Sequence, residues 1–137
     1  THPERLTWIG DHYPTFCALA DQGAWLQVTA GSLTGRFGPD AQYWAERLLD
    51  DGRVGILATD AHTTQRRAPR LAEGRQAAER WVGAEEARHL VEARPEGILA
   101  DWSPSDLPPL PSGNPVHERS GGKPKPGLLA RLFKKRG

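Results

Sequence analysis

Apolar and polar positions follow two different periods along the first hundred residues of the chain. The run WLQVT at 25–29 combines aromatic and β-branched residues and predicts a strand, and the continuous apolar run VGILA at 54–58 predicts a strand buried on both faces. Apolar residues at three-and-four spacing predict helices at about 13–21, 40–52, 71–82 and 84–93, with a short strand candidate at 98–99. Successive strand and helix units of this kind indicate an α/β fold with parallel strands.

Glycines and polar residues mark the segments that follow the two strands. The segment GSLTGRFG at 31–38 is punctuated by glycine and predicts a loop, and Gly52 is suited to cap the helix before it. The second strand stops abruptly at Thr59-Asp60-Ala61-His62. Because barrel enzymes place their sites at the carboxyl ends of strands, these polar residues are candidates for a site.

The composition argues against two classes of function. With 37% hydrophobic and 26% charged residues among 137, the chain fits a soluble globular protein that carries some unstructured length. No stretch approaches the roughly 18 to 20 consecutive apolar residues of a membrane-spanning helix, so we expect a cytoplasmic protein. Residues 1–100 hold 11 Lys and Arg against 14 Asp and Glu, a net −3 that argues against a nucleic-acid-binding surface.

Residues 101–137 differ from this body in composition and predict a disordered tail. They hold 7 Lys and Arg against 3 Asp and Glu, and seven of the twelve prolines lie between Pro104 and Pro126. The basic amphipathic stretch LLARLFKKR at 128–136 could make a weak contact with a membrane surface or a membrane-bound partner. Fewer than about 12 residues make a marginal free helix, so a merely solvated tail is the simpler interpretation.

The chain has one cysteine and no methionine. Cys17 cannot form an internal disulfide, and on the apolar face of a predicted helix it fits a small buried hydrophobe better than a nucleophile. Because methionine is lacking even at position 1, we expect a gene fragment or a cut boundary.

Two motifs carry candidate metal ligands. Asp60 and His62 follow the second strand, and on extended backbone their spacing directs the carboxylate and the imidazole to one side, where they could hold one cation or bridge two. This mixture of ligands suits manganese, iron or zinc better than calcium. The motif HPER at 2–5 adds a second imidazole, and its proline could fix a turn that projects His2 and Arg5 into one cavity. Each motif taken alone also fits a solvated turn.

Polar residues that could bind a substrate lie near these motifs. Arg66 and Arg67 follow soon after His62, and a guanidinium can bind a phosphate group bidentately, although a solvated surface pair is the alternative. Gln27 and Ser32 border the expected cavity and could contact substrate or water, or only form turns.

The order of these motifs resembles that of the capsule and exopolysaccharide type of protein-tyrosine phosphatase in the PHP (polymerase and histidinol phosphatase) superfamily. The resemblance rests on HPER at 2–5, LQVTAGSLTG at 26–35, ATDAH at 58–62, RxP at 67–69, GAEEAxxL at 83–90 and PxxIL at 95–99. It covers about residues 1–100, and several motifs in one order make it specific.

The resemblance implies the C-terminal portion of a distorted β/α barrel of the PHP type, whose strand ends hold a cluster of divalent metals. His2, Asp60 and His62 match metal ligands of that family, with manganese as the implied metal and iron or zinc as alternatives. Arg5 and Arg67 match the arginines that bind and stabilise the phosphate. The implied substrate is phosphotyrosine on a bacterial tyrosine kinase that regulates capsule and exopolysaccharide synthesis.

The sequence departs from that family at its start, because the family's opening His-x-His motif and its first-half carboxylate ligands have no counterpart here. We therefore expect these 137 residues to bind metal poorly and to turn over slowly or not at all. A PHP phosphoesterase with a small substrate such as histidinol phosphate and a non-catalytic interaction domain are the alternatives. The GSLxG segment and the short spacing from Asp60 to Arg67 favour the tyrosine phosphatase.

Overall fold

A computed structural model of the chain describes residues 2–65 and 68–111. Arg66, Arg67 and the basic stretch at 128–136 lie outside the described residues. In chain order the elements are a 3-10 turn (Pro3–Arg5), α1 (Ile9–Asp21), β1 (Leu26–Thr29), α2 (Ala30–Leu33), α3 (Pro39–Asp50), β2 (Val54–Ala58), α4 (Leu71–Arg88), a π-helical turn (His89–Ala93), α5 (Arg94–Leu99) and a 3-10 turn (Pro104–Asp106).

The two strands pair in parallel, as the alternation of strand and helix predicts. Gln27 lies opposite Ile56 and Thr29 opposite Ala58, with an irregularity between Leu26 and Gln27. Both strands therefore end at the same edge of the sheet, where α2 begins and where Asp60 follows. The described residues contain this two-stranded sheet and no further strand, so the PHP barrel stays a prediction.

A single cluster of apolar side chains lies between the sheet and the helices. Strand residues Val28 and Leu57 pack in it with the helical residues Ile9, Leu48 and Leu90, all of which are almost completely buried. Burial of one such side chain contributes about 1.5 to 3 kcal/mol to the free energy of folding. Burial of this cluster is therefore the main contribution to the packing of the helices on the sheet.

Helix α1 begins one turn earlier than the predicted start at residue 13. Ile9 and Tyr13 lie four residues apart on one face of the helix and both are buried. The core contact of Ile9 extends the helix towards its N-terminus, and Pro14 lies inside the helix instead of near its start.

The end of α3 confirms the predicted role of Gly52. Gly52 has a φ of 65°. Its N–H donates to Leu49 at 2.9 Å, and the N–H of Arg53 donates to Leu48 at 3.0 Å, which together form a Schellman cap. Glycine adopts this left-handed conformation without a steric penalty, so the helix stops and β2 can begin two residues later.

Two local predictions are wrong. The segment 31–38 is not a loop throughout, because residues 30–33 form the single helical turn α2. Residues 98–99 do not form a strand, because they end the short helix α5. Pro95 indicated a break, but helical backbone continues into α5 directly from the π-helical turn that precedes it.

The packed body includes residues 101–111, which the sequence assigned to the tail. The buried side chain of Arg94 donates to the carbonyl oxygens of Pro108 at 2.9 Å and Pro109 at 2.6 Å. Its remaining N–H groups bind Glu86 at 2.6 and 2.9 Å and the carbonyl of Gly55 at 3.3 Å. Arg94 thus connects α4, β2 and the segment after α5. None of the helices in the described ranges is long and apolar enough to span a bilayer.

Replacing Arg94 by methionine should lower the free energy of unfolding by about 3 to 5 kcal/mol, because Glu86 would keep a charge in a buried place without its partner. Urea denaturation measures the change. Arg75→Met is the matched control, since Arg75 is 41% exposed and pairs with Glu79 and Glu92 only at 3.6 and 3.9 Å. The control should cost less than about 1 kcal/mol. Equal losses in the two variants would contradict a structural role for Arg94.

Candidate functional site

The turn of residues 2–5 is attached to β1 by its backbone. The N–H of His2 donates to the carbonyl of Gln27 at 2.7 Å. Pro3 opens the 3-10 turn, and the N–H of Leu6 closes it by donating to the Pro3 carbonyl at 3.1 Å. The proline therefore fixes a turn here, as expected from the sequence.

Glu4, between the two residues that the sequence singled out in this turn, is only 2% exposed. Its Oε1 accepts hydrogen bonds from the backbone N–H of Thr29 at 2.9 Å and from the hydroxyl of Ser32 at 2.8 Å. Its Oε2 is buried and has no hydrogen-bond partner among the residues that the structure describes. Sequence reasoning missed Glu4. The available signal was an acidic residue enclosed between two candidate site residues, His2 and Arg5.

Arg5 reaches the end of the second strand. Its Nη1 donates to Oδ2 of Asp60 at 2.6 Å, and its Cζ lies 4.0 Å from the centre of the Phe37 ring. The Arg5 side chain is 28% exposed, and its other N–H groups have no acceptor within residues 2–65 and 68–111. The structure therefore brings two sequence motifs 55 residues apart into direct contact, with donors left over for a ligand.

Asp60 and His62 are close in space, but not for the reason inferred from the sequence. The expected extended backbone is wrong, because Asp60 has a φ of 51° and β2 has already ended at Ala58. A turn brings Nδ1 of His62 to 2.8 Å from the Asp60 carbonyl oxygen and to 3.7 Å from Asp60 Oδ1. Because a carbonyl only accepts, Nδ1 carries the hydrogen, and in the neutral ring Nε2 keeps the lone pair that binds a metal.

Both His2 and Asp60 adopt left-handed backbone conformations. Three non-glycine residues in the described ranges have a positive φ, namely His2 at 37°, Asp60 at 51° and Asp101 at 57°. Such conformations cost energy and cluster at functional sites. Nδ1 of His2 is also buried, and no group in the described ranges forms a hydrogen bond with it.

The donor chemistry of this site fits a divalent transition metal. Manganese, iron and zinc accept imidazole and carboxylate ligands. The candidates here are the buried Nδ1 of His2, the carboxylate of Asp60 and Nε2 of His62. Within residues 2–65 and 68–111, however, no three ligand-type side chains are assembled into one group. The described residues thus offer donors of suitable types and place Asp60 beside His62, but they do not bring His2, Asp60 and His62 into one metal-binding group as the sequence predicted.

The other predicted substrate-binding residues lie in different environments. Ser32 is fully buried, and its hydroxyl donates a hydrogen bond to Glu4. Ser32 therefore stabilises the turn of residues 2–5. Gln27 contributes its backbone carbonyl to His2, and its side chain is half-buried. Arg66 and Arg67 are not among the described residues.

Cys17 lies half-buried on α1. Burial raises the pKa of its thiol, and the neighbouring Arg53 guanidinium offsets this only in part. A raised pKa leaves little thiolate near neutral pH, so the structure gives no support to a cysteine nucleophile.

Comparison with known families identifies the family of this chain. Residues 1–100 match the family model described as capsular polysaccharide synthesis, CpsB/CapC. The chain belongs to this family. The tyrosine-protein phosphatase YwqE of Bacillus subtilis strain 168 is 31% identical over 110 residues, which cover 80% of the chain and 43% of YwqE.

A second relative in this family is the CapC protein of Staphylococcus aureus, which is named provisionally as a tyrosine-protein phosphatase. It is 33% identical over 66 residues, which cover 48% of the chain and 26% of CapC. The chain thus spans less than half the length of the curated relatives it matches. No solved structure matches it significantly.

Replacing Glu4 by alanine should lower the free energy of unfolding by about 2 to 3 kcal/mol, because the Thr29 N–H and the Ser32 hydroxyl would lose their buried acceptor. Glu4→Gln is the matched control. Its amide oxygen can accept both hydrogen bonds, so it should cost less than about 1 kcal/mol. Chemical denaturation of the three proteins gives the comparison. If glutamine were as destabilising as alanine, the hydrogen bonds of Oε1 would not be what Glu4 contributes.

Proposed function

We propose that this chain carries the phosphate-binding part of a metal-dependent protein-tyrosine phosphatase, together with part of its metal site. The observation that supports this most directly is Arg5, which is fixed by Asp60 at 2.6 Å and still has N–H groups without an acceptor in the described residues. A guanidinium in this state can bind two oxygens of a phosphate group bidentately.

In this proposal each residue has a defined task. His2, Asp60 and His62 are the proposed ligands of the divalent metal, although the described residues do not bring the three together into one group. Manganese is the first choice, and iron or zinc is chemically acceptable. The metal would supply Lewis-acid polarisation of the phosphate and activation of the attacking water. Arg5 would bind the phosphate oxygens and stabilise their charge, and Arg67 would be a second arginine for the same group. No cysteine nucleophile is needed, which agrees with the raised pKa of the Cys17 thiol.

The proposed substrate is phosphotyrosine on a bacterial tyrosine kinase that regulates capsule and exopolysaccharide synthesis. Support comes from the capsular polysaccharide description of the family and from relatives named as tyrosine-protein phosphatases. These names favour a phosphorylated protein over a small substrate such as histidinol phosphate. The described site adds an Arg5 that is accessible to a ligand from solution, since its side chain is 28% exposed.

Metal binding can be tested without catalysis. Substoichiometric Mn²⁺ should broaden the ring resonances of His2 and His62 in NMR spectra before those of His12 and His89, which belong to α1 and the π-helical turn. Asp60→Asn should weaken this binding at least about tenfold, because a carboxylate ligand is lost.

The matched control for Asp60→Asn is Asp21→Asn, because Asp21 also pairs with an arginine, Arg53. It should leave Mn²⁺ binding unchanged. Equal broadening of the rings of His2, His62, His12 and His89, or equal effects of the two substitutions, would remove the metal site from the proposal.

Hydrolysis by the 137 residues alone is expected to be slow or absent. Release of phosphate from para-nitrophenyl phosphate and from a phosphotyrosine peptide should stay at the rate of the buffer with Mn²⁺. The measurement is the initial rate with and without Mn²⁺ for the original sequence and for Asp60→Ala. A rate that depends on Mn²⁺ and disappears in Asp60→Ala would contradict this expectation while supporting the proposed chemistry.

A further inference from the structure

The guanidinium of Arg5 is held from two directions. Asp60 accepts one of its N–H groups at 2.6 Å, and the ring of Phe37 lies against it with 4.0 Å between Cζ and the ring centre. The carboxylate fixes one edge of the planar group, whereas the ring fixes its face. An arginine side chain has several freely rotating bonds, so two contacts of different geometry restrict it far more than one does.

The glycine-rich segment after β1 is built to accommodate this ring. A Cβ atom on Gly31 would lie 2.8 Å from Cε2 of Phe37, so the ring occupies space that any other residue at 31 would fill. The N–H of Arg36 donates to the Gly31 carbonyl at 2.9 Å, and the N–H of Gly38 donates to Gly35 at 3.2 Å. Backbone hydrogen bonds on both sides of Phe37 therefore define where the ring lies.

We propose that Phe37 is a positioning residue, which stacks on Arg5 and keeps the N–H groups that do not bind Asp60 oriented for a phosphate group. This inference rests on the proposed function of Arg5 as a phosphate ligand. The attraction between a guanidinium and an aromatic face favours this orientation. Less conformational freedom is then lost when phosphate binds, so the affinity rises without any direct contact between phosphate and Phe37.

A packing role alone gives different expectations. If Phe37 only filled space, its loss would change stability, and any apolar side chain of similar size would substitute for it. If it positions Arg5, the aromatic face is required. Phe37→Tyr then preserves phosphate binding, whereas Phe37→Leu and Phe37→Met do not, although both fill much of the same volume.

The first measurement begins with the unsubstituted chain. Ring currents should shift the side-chain N–H and Cδ–H resonances of Arg5 upfield in the NMR spectrum of the 137-residue chain, and Phe37→Leu should abolish the shift. Arg5 resonances at their ordinary positions in the unsubstituted chain would overturn the inference at once.

The second measurement is the dissociation constant for inorganic phosphate, followed by NMR titration. Phe37→Leu and Phe37→Met should weaken binding about threefold to thirtyfold, as expected for loss of a partly buried cation–π contact, and Phe37→Tyr should stay within about twofold. Phe16→Leu is the matched control. Phe16 lies in α1 and is also partly buried, but its ring stacks on Trp8 and not on an arginine. It should leave phosphate affinity unchanged.

The same titration separates failure of the inference from failure of the proposed function. Arg5→Met should weaken phosphate binding more than any Phe37 variant. If Arg5→Met had no effect, the phosphate-binding role of Arg5 would be wrong, whatever Phe37 does. If Arg5→Met weakened binding and the leucine and methionine variants of Phe37 did not, Arg5 would keep its role and the positioning role of Phe37 would be refuted.

Discussion

The geometry of the site depends on the hydrogen bonds that the buried carboxylate of Glu4 accepts. A carboxylate that is 98% removed from solvent needs hydrogen-bond donors, and Glu4 finds them in the Thr29 N–H and the Ser32 hydroxyl. Thr29 ends β1 and Ser32 lies in α2, so these bonds attach the turn of residues 2–5 to the edge of the sheet. Because β1 and β2 are parallel neighbours, that edge is also where Asp60 emerges. Arg5 can therefore reach Asp60 across 55 residues of sequence.

Arg94 and Arg5 differ in how many of their N–H groups form hydrogen bonds with the rest of the described chain. Arg94 is fully buried, and its five N–H groups make five hydrogen bonds to Glu86, Gly55, Pro108 and Pro109. Such a group has no capacity left for a ligand. Arg5 makes one hydrogen bond and is 28% exposed, so most of its donors face no acceptor in the described part of the chain. Donors that reach solvent at a partly exposed position are available to water or to a ligand, whereas those of Arg94 are available to neither.

The sequence predicted what depends on local patterns and missed what depends on distant contacts. The parallel strands, the Gly52 cap and the main helices follow from periodicity and turn chemistry, which act over a few residues. The roles of Glu4 and Ser32 require knowing that residues 25 to 28 positions apart meet in the core. The packing of residues 101–111 likewise depends on Arg94, whose partners lie up to 15 positions ahead and 39 behind. Periodicity carries no information about such pairs.

The proximity of Asp60 and His62 was predicted from the sequence on an incorrect geometry. Period two on an extended strand indicated that Asp60 and His62 point to one side, but the backbone has left the strand and Asp60 has a φ of 51°. The turn has a chemical advantage that the strand lacks. It lets the Asp60 carbonyl fix the His62 ring at 2.8 Å, while Oδ2 pairs with Arg5 at 2.6 Å. One residue thereby orients a candidate metal ligand through its backbone and a candidate phosphate ligand through its side chain.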